Sequence, residues 1–122
     1  MSKVIALRGA TTLQKDDPLE MDTRVKELIL EIFRVNDFNA DQIISAIVTA
    51  TTDIKCKYPA TSARIGGLDA VPIIGAQEVD VAGGLPLCIR IMLHVNVKDE
   101  ISSLKSVYLH EAQKLRPDLR DD

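Results

Sequence analysis

The chain has 122 residues, 46% of them hydrophobic and 27% charged, and carries a formal net charge of −3. That length and apolar content predict one domain over residues 1–122 with a core of its own, while lysines and arginines scattered among aspartates and glutamates form no basic stripe for a nucleic-acid backbone. The longest largely apolar stretch, Ile43 to Ala50, is far short of the roughly 20 residues that span a bilayer, and the short apolar run after Lys3 is too brief for a signal-peptide core, so a cytoplasmic protein with no membrane partner is expected.

Residues 3 to 8 alternate and end at Arg8, which predicts a short strand opening into the small, polar Gly9-Ala10-Thr11-Thr12. Asp17-Pro18-Leu19-Glu20 combines an N-cap aspartate, a proline at the first helical position and a glutamate three residues after the cap, a capping-box arrangement. From there Met21, Val25, Leu28, Ile29 and Ile32 recur at helical spacing, giving an amphipathic helix to about Val35 that Asn36-Asp37 ends. Asn39-Ala40-Asp41 caps a short turn before a second strand, Ile43 to Thr51. After Tyr58-Pro59, the run Ala60 to Ile65 predicts two helical turns stopped by Gly66-Gly67. Val71 to Gln77 reads as a third strand, Asp80 to Pro86 as a loop, Cys88 to Val97 as a strictly alternating fourth strand, and Val107 to Leu115 as a fifth.

In the fourth strand Ile89, Ile91, Leu93 and Val95 point one way, and Arg90, Met92, His94 and Asn96 the other. A helix of about 18 residues, roughly 27 Å long, covers one face of such a sheet, here the isoleucine face. The mixed second face has no cover within the chain, which predicts a homo-oligomer that buries Met92 and leaves Arg90 at the edge of a cavity.

The usual signatures of covalent catalysis and nucleotide binding are missing: no nucleophile elbow, no Gly-x-Gly-x-x-Gly after a strand and no phosphate-binding loop. Cys56 and Cys88 lie far apart without a second ligand at metal-binding spacing, so reduced thiols, no metal and no cofactor are expected. His94 and His110 stand alone, and a lone histidine in a strand is more often a hydrogen-bonded packing residue than a base. What remains is a set of arginines at strand ends or within strands, Arg8, Arg64, Arg90 and Arg116, with Glu78 just beyond a strand. A surface arginine is ordinarily solvated or salt-bridged. Arg90 departs from that pattern, because between Ile89 and Ile91 a permanent charge needs an anion or a carboxylate, and Glu78 is the available one.

Five blocks in order then match a family. Arg8-Gly9-Ala10-Thr11-Thr12, Gln77-Glu78-Val79-Asp80-Val81 with Gly83-Gly84-Leu85, Cys88-Ile89-Arg90, Val107-Tyr108-Leu109 and Leu115-Arg116-Pro117-Asp118-Leu119 resemble the small trimeric chorismate mutases nearly end to end. The resemblance implies an α+β fold with a mixed five-stranded sheet packed on one long and one short helix. It also implies a homotrimer with a barrel-like core and active sites at subunit interfaces. The implied reaction is the rearrangement of chorismate to prephenate in phenylalanine and tyrosine biosynthesis. Arg90 looks like the arginine that binds the ether oxygen and a carboxylate, Arg8 like one that binds a carboxylate, and Glu78 like the acceptor of the ring hydroxyl, while Tyr108 touches the substrate. Ile74, Gly75, Ala76 and Gln77 line the pocket in such enzymes, Tyr58 takes an aromatic wall position, and Arg64 and the tail around Arg116, mobile after about residue 115, lie near the entrance. The sequence departs from the family at Gly75, where a thiol or hydroxyl is frequent, and at Thr61, where a basic residue is common. Two other readings use a similar frame: a non-catalytic module binding a small carboxylate, which has no need of Glu78 opposite Arg90, and an enamine or imine hydrolase on a similar trimeric fold.

Overall fold

The structure, a computed structural model, describes residues 1–115. Its elements are β1 (Ser2–Thr12), α1 (Pro18–Val35), a 3-10 turn (Ala40–Gln42), β2 (Ile43–Ala50), α2 (Pro59–Ala63) running into a wider π-type turn (Arg64–Leu68), β3 (Ile73–Gln77), β4 (Cys88–Lys98), β5 (Val107–Tyr108) and a closing 3-10 turn (His110–Lys114). The strands form one five-stranded sheet in the order β3-β2-β4-β1-β5. β4 is antiparallel to both β1 and β2, whereas β2 with β3 and β1 with β5 are parallel, so the sheet is mixed and the fold is α+β.

The alternation in β4 survives folding: Ile89, Ile91, Leu93, Val95 and Val97 are buried, and Arg90, Met92, His94 and Asn96 lie partly or fully exposed on the other face. α1 covers the buried face with Met21, Val25, Leu28, Ile29 and Ile32, the five positions its periodicity marks. Gly9 lets β1 pass close beneath it, since a Cβ there would lie 3.0 Å from Ile32 Cδ1 and 3.1 Å from Ile91 Cγ2. The opposite face carries exposed Val4, Ile47 and Ile74.

Several boundaries differ from the sequence expectation. β1 does not stop at Arg8; Gly9 to Thr12 continue the ladder against Cys88–Ile91, because a long antiparallel partner rewards extension through small residues. The Asp17 carboxylate caps the Glu20 amide at 2.9 Å, but Glu20 does not complete the box. Its carboxylate accepts instead from the amides of Gln14 at 2.7 Å and Lys15 at 3.3 Å. Gly66-Gly67 do not end the second helix, which runs on to Leu68 with a kink at Gly67 (φ +128°). The reason is packing: a Cβ on Gly66 would sit 3.2 Å from the Lys26 Cα of α1, so this glycine serves close approach of two backbones. β3 begins at Ile73, after Pro72, whose carbonyl accepts from the Ala46 amide. The expected strand from Val107 to Leu115 shrinks to two residues, since His110 takes φ +54° and turns the chain into the 3-10 segment.

Candidate active site

β4 lies between β2 and β1, and its register sets the site. Directly paired residues share a face, so Ala76 of β3, Thr49 of β2, Arg90 of β4, Ala10 of β1 and Tyr108 of β5 form one row across the open side of the sheet. Ala10 puts only a methyl between Arg90 and Tyr108. Arg8 lies in the next row, paired with Met92 and therefore diagonal to Arg90, at a typical backbone spacing of roughly 7–8 Å that long side chains bridge. Its backbone amide is held by Ser106 Oγ at 3.1 Å.

Glu78 follows β3 directly, its amide donating to the Ala50 carbonyl at 2.9 Å. Its carboxylate meets Arg90 fork to fork, with Arg90 Nε donating to Oε2 at 2.7 Å and Nη2 to Oε1 at 2.6 Å. The Thr49 hydroxyl donates to the same Oε2. Hydrogen bonds from Arg90 hold Glu78 below the ordinary glutamate range, opposed by partial burial and reinforced by Thr49, and the same pair raises the Arg90 guanidinium above its usual value. Glu78 is therefore an anion and Arg90 a cation throughout the neutral range. The fork uses two of the five guanidinium N–H groups. The Arg90 side chain is 50% exposed in the single chain, with one edge of the guanidinium on Glu78 and one edge open.

Two cavities flank this row. One of about 730 Å³ is bounded by Glu78, Cys88, Arg90, the loop 79–86 and Leu115. The other, of about 900 Å³, lies between β3 and the segment after β2, and Tyr58, Arg64 and Ile74 to Gln77 all line it, as does Thr61. The structure thus brings Arg90 and Glu78 into contact and sets Arg8 and Tyr108 on their face. The remaining described residues of the expected site gather in a separate cavity at the β3 edge. Arg116 lies outside the described residues. Gly75 has room for a side chain, since a Cβ there would meet only the Val48 carbonyl oxygen at 3.6 Å.

Sequence reasoning missed Thr49, whose position beside Glu78 and Arg90 depends on a strand register that no local signal encodes. It also missed Lys55 and Lys57 in the lining of the larger cavity, although the Lys-Cys-Lys-Tyr run preceding Pro59 was visible. His94 Nδ1 lies 3.2 Å from Ser45 Oγ and His110 Nε2 lies 2.8 Å from Glu27 Oε1, so each imidazole has a structural partner. Both cysteines are free, and burial first of all pushes each thiol up to about 11. Among the described residues no three His, Cys, Asp or Glu side chains cluster to hold a metal, and no helix is long and apolar enough to cross a membrane.

A sheet with a carboxylate-braced guanidinium on its open face suits stabilisation of developing negative charge. Comparison with known proteins agrees with that geometry. Residues 4–119 match the family described as chorismate mutase type I. The chain is 36% identical over 117 residues to chorismate mutase AroH of Thermus thermophilus, covering 95% of this chain and 96% of that protein. It is 35% identical over 114 residues to chorismate mutase AroH of Bacillus subtilis (strain 168), covering 93% and 90%. Among solved structures, the chorismate mutase from Clostridium thermocellum superposes with a TM-score of 0.83 at 36% identity, over 90% of this chain and 98% of that one. With a family match over residues 4–119 and relatives 35–36% identical over nearly their whole length, the chain belongs to the type I chorismate mutases.

Proposed function

We propose that this chain is an isomerase converting chorismate to prephenate on the Arg90 row, by charge stabilisation and conformational restriction. The supporting observation is the Glu78–Arg90–Thr49 constellation on the open face of the sheet. The rearrangement breaks a carbon–oxygen bond and makes a carbon–carbon bond within one molecule, so it requires no external acid, base or nucleophile. As the bond to the ether oxygen stretches, negative charge gathers on that oxygen and positive charge on the ring. A fixed cation beside the oxygen then binds the transition state more strongly than the ground state. Arg90 supplies it from the guanidinium edge that Glu78 leaves open, and Glu78 keeps that edge from rotating. Glu78 also accepts the ring hydroxyl and favours the developing positive charge. Arg8 and Tyr108 hold carboxylate groups in the folded conformer that brings the two carbon ends together.

The reading further assigns the larger cavity, with Tyr58, Arg64 and Ile74 to Gln77, to the same reaction through a neighbouring copy of the chain in a homotrimer. Two features support it: Val4, Ile47 and Ile74 on the open face stay exposed among the described residues, and Arg8 and Tyr108 line neither cavity by themselves. A cytoplasmic place, supplying prephenate for phenylalanine and tyrosine, completes the reading.

Loss of chorismate absorbance on adding purified protein, with prephenate as product, tests the activity; binding without turnover would leave only a carboxylate-binding module. Light scattering at micromolar concentration tests the assembly, and a monomeric mass would refute it. Mixing Arg90→Ala with Arg64→Ala chains tests the shared site. If each site draws on two copies, random reassembly restores about one quarter of the wild-type sites, seen as a gain in kcat/KM over the two variants kept apart, whereas sites within single chains gain nothing from mixing.

A further inference from the structure

The segment walling the larger cavity reaches the core through small or partly buried side chains, Ala60, Ala63, Ile54 and Cys56. Tyr58 is 81% exposed, so no packing fixes its ring, and the five-residue α2 is too short to be stable alone. Two carboxylates from elsewhere tie the segment down. Asp16, in the turn after β1, accepts from the backbone amides of Lys55 at 2.9 Å and Cys56 at 3.2 Å. Asp22, in the second turn of α1, accepts from Lys57 Nζ at 2.7 Å and from Ser62 Oγ at 2.6 Å, both on Oδ1. Ser62 is fully buried, while the Lys57 and Asp22 side chains are 21% and 27% exposed.

The spacing of these partners gives the cluster its meaning. Lys57 immediately precedes Tyr58, Ser62 immediately follows Thr61, and Arg64 comes two residues later. One carboxylate oxygen therefore clasps the chain on both sides of the Tyr58–Thr61 stretch and docks it on α1. The bonds from Lys57 and then Ser62 hold the Asp22 carboxyl below the ordinary aspartate range, so the clasp stays ionised at neutral pH. Lys57, which supplies the ammonium, itself lines the larger cavity.

We propose that Asp22 is a positioning residue for the substrate wall: by gathering Lys57 and Ser62 it fixes where Tyr58 and Arg64 stand in the larger cavity. The inference rests on the assignment of that cavity to the chorismate reaction. Because the wall binds substrate without touching the breaking bond, its disturbance should appear in KM and not in kcat.

The test uses full-length Asp22→Ala, Asp22→Asn and Lys57→Met, with chorismate kinetics and ligand-free amide hydrogen exchange. Asp22→Ala should raise KM roughly 3- to 10-fold with kcat within about twofold of wild type, and should speed exchange at amides 57–62 but not in β4. Asp22→Asn should fall between, since its amide oxygen still accepts from Ser62 but no longer balances the ammonium. Lys57→Met should give part of the effect and add little on top of Asp22→Ala. An unchanged KM accompanied only by lower thermal stability overturns the proposal, as does a kcat that falls in step with kcat/KM. Should Asp22→Ala not fold, Lys57→Met decides, because it keeps the Ser62 bond and the side-chain length; an unaltered KM there is equally fatal. If wild-type protein leaves chorismate untouched, the fault lies with the assigned reaction, and the exchange measurement still reports whether Asp22 holds the wall.

Discussion

Replacing Arg90 by alanine separates catalysis from stability in a way the geometry makes quantitative. The guanidinium is half exposed and its contact with Glu78 is a partly solvated ion pair, worth no more than about 1 kcal/mol to folding. For a chain of this length that shifts Tm by less than about 4 °C. In the proposed role of donor to an oxygen gaining charge, the same group would be worth about 3 to 4 kcal/mol in the transition state, or about 10²- to 10³-fold in turnover. Arg90→Ala should therefore remain folded and nearly as heat-stable as the parent while losing at least about a hundredfold in kcat. Arg90→Lys should recover little of it, because an ammonium cannot grip both Glu78 oxygens and still present a fixed edge to substrate. Stopped-flow or steady-state loss of chorismate absorbance, paired with a circular-dichroism melt, provides both readings. Near-normal turnover would refute the mechanism, and a Tm drop beyond about 10 °C would show that the residue serves the fold.

Gly9→Ala should destabilise by about 1–3 kcal/mol, a Tm loss of roughly 4–12 °C in thermal melts, because the new methyl meets Ile32, Ile91 and Leu28 at 3.0 to 3.3 Å. For Glu78, whose folded pKa is depressed, the fork and its stabilisation are complete above the unfolded pKa and are lost as pH falls through the folded one. The acid limb of kcat/KM attributable to this group should accordingly lie below the ordinary glutamate range, and a limb inside that range that vanishes in Glu78→Gln would contradict the assignment. Both thiols, raised to about 11, should resist iodoacetamide near pH 8 until denaturant is added, as mass spectrometry would show; rapid alkylation of buried Cys88 in native protein would argue against its placement.

The periodic signals in the sequence proved sound where one face of an element meets the core. β4 alternates because α1 lies against one side of it, and α1 repeats at helical spacing for the same reason. Local chemistry was less reliable where a distant partner competes. Glu20 leaves its cap for the amides of Gln14 and Lys15, Gly66 marks contact with α1 instead of a helix end, and Val107–Leu115 looks like a strand although His110 turns it after two paired residues. Arg90 drew notice as a charge among isoleucines, and its pairing with Glu78 followed from the need for a counter-ion. Thr49 and Asp22 gave no such hint. Each is an ordinary polar residue until strand register or helix docking sets it beside its partner, 29 residues away for Thr49 to Glu78 and 40 for Asp22 to Ser62.

The row formed by Ala10, Thr49, Ala76, Arg90 and Tyr108 takes one residue from each of the five strands, in an order unrelated to their order along the chain. A nascent chain halted before Val107 lacks a whole edge of that array, and a fragment lacking β1 lacks the strand that joins β5 to β4. Turnover thus serves as a built-in gauge of complete folding: with most of its strand contacts distant in sequence, the sheet assembles slowly, and refolding followed by chorismate consumption should lag behind the return of helical signal from α1.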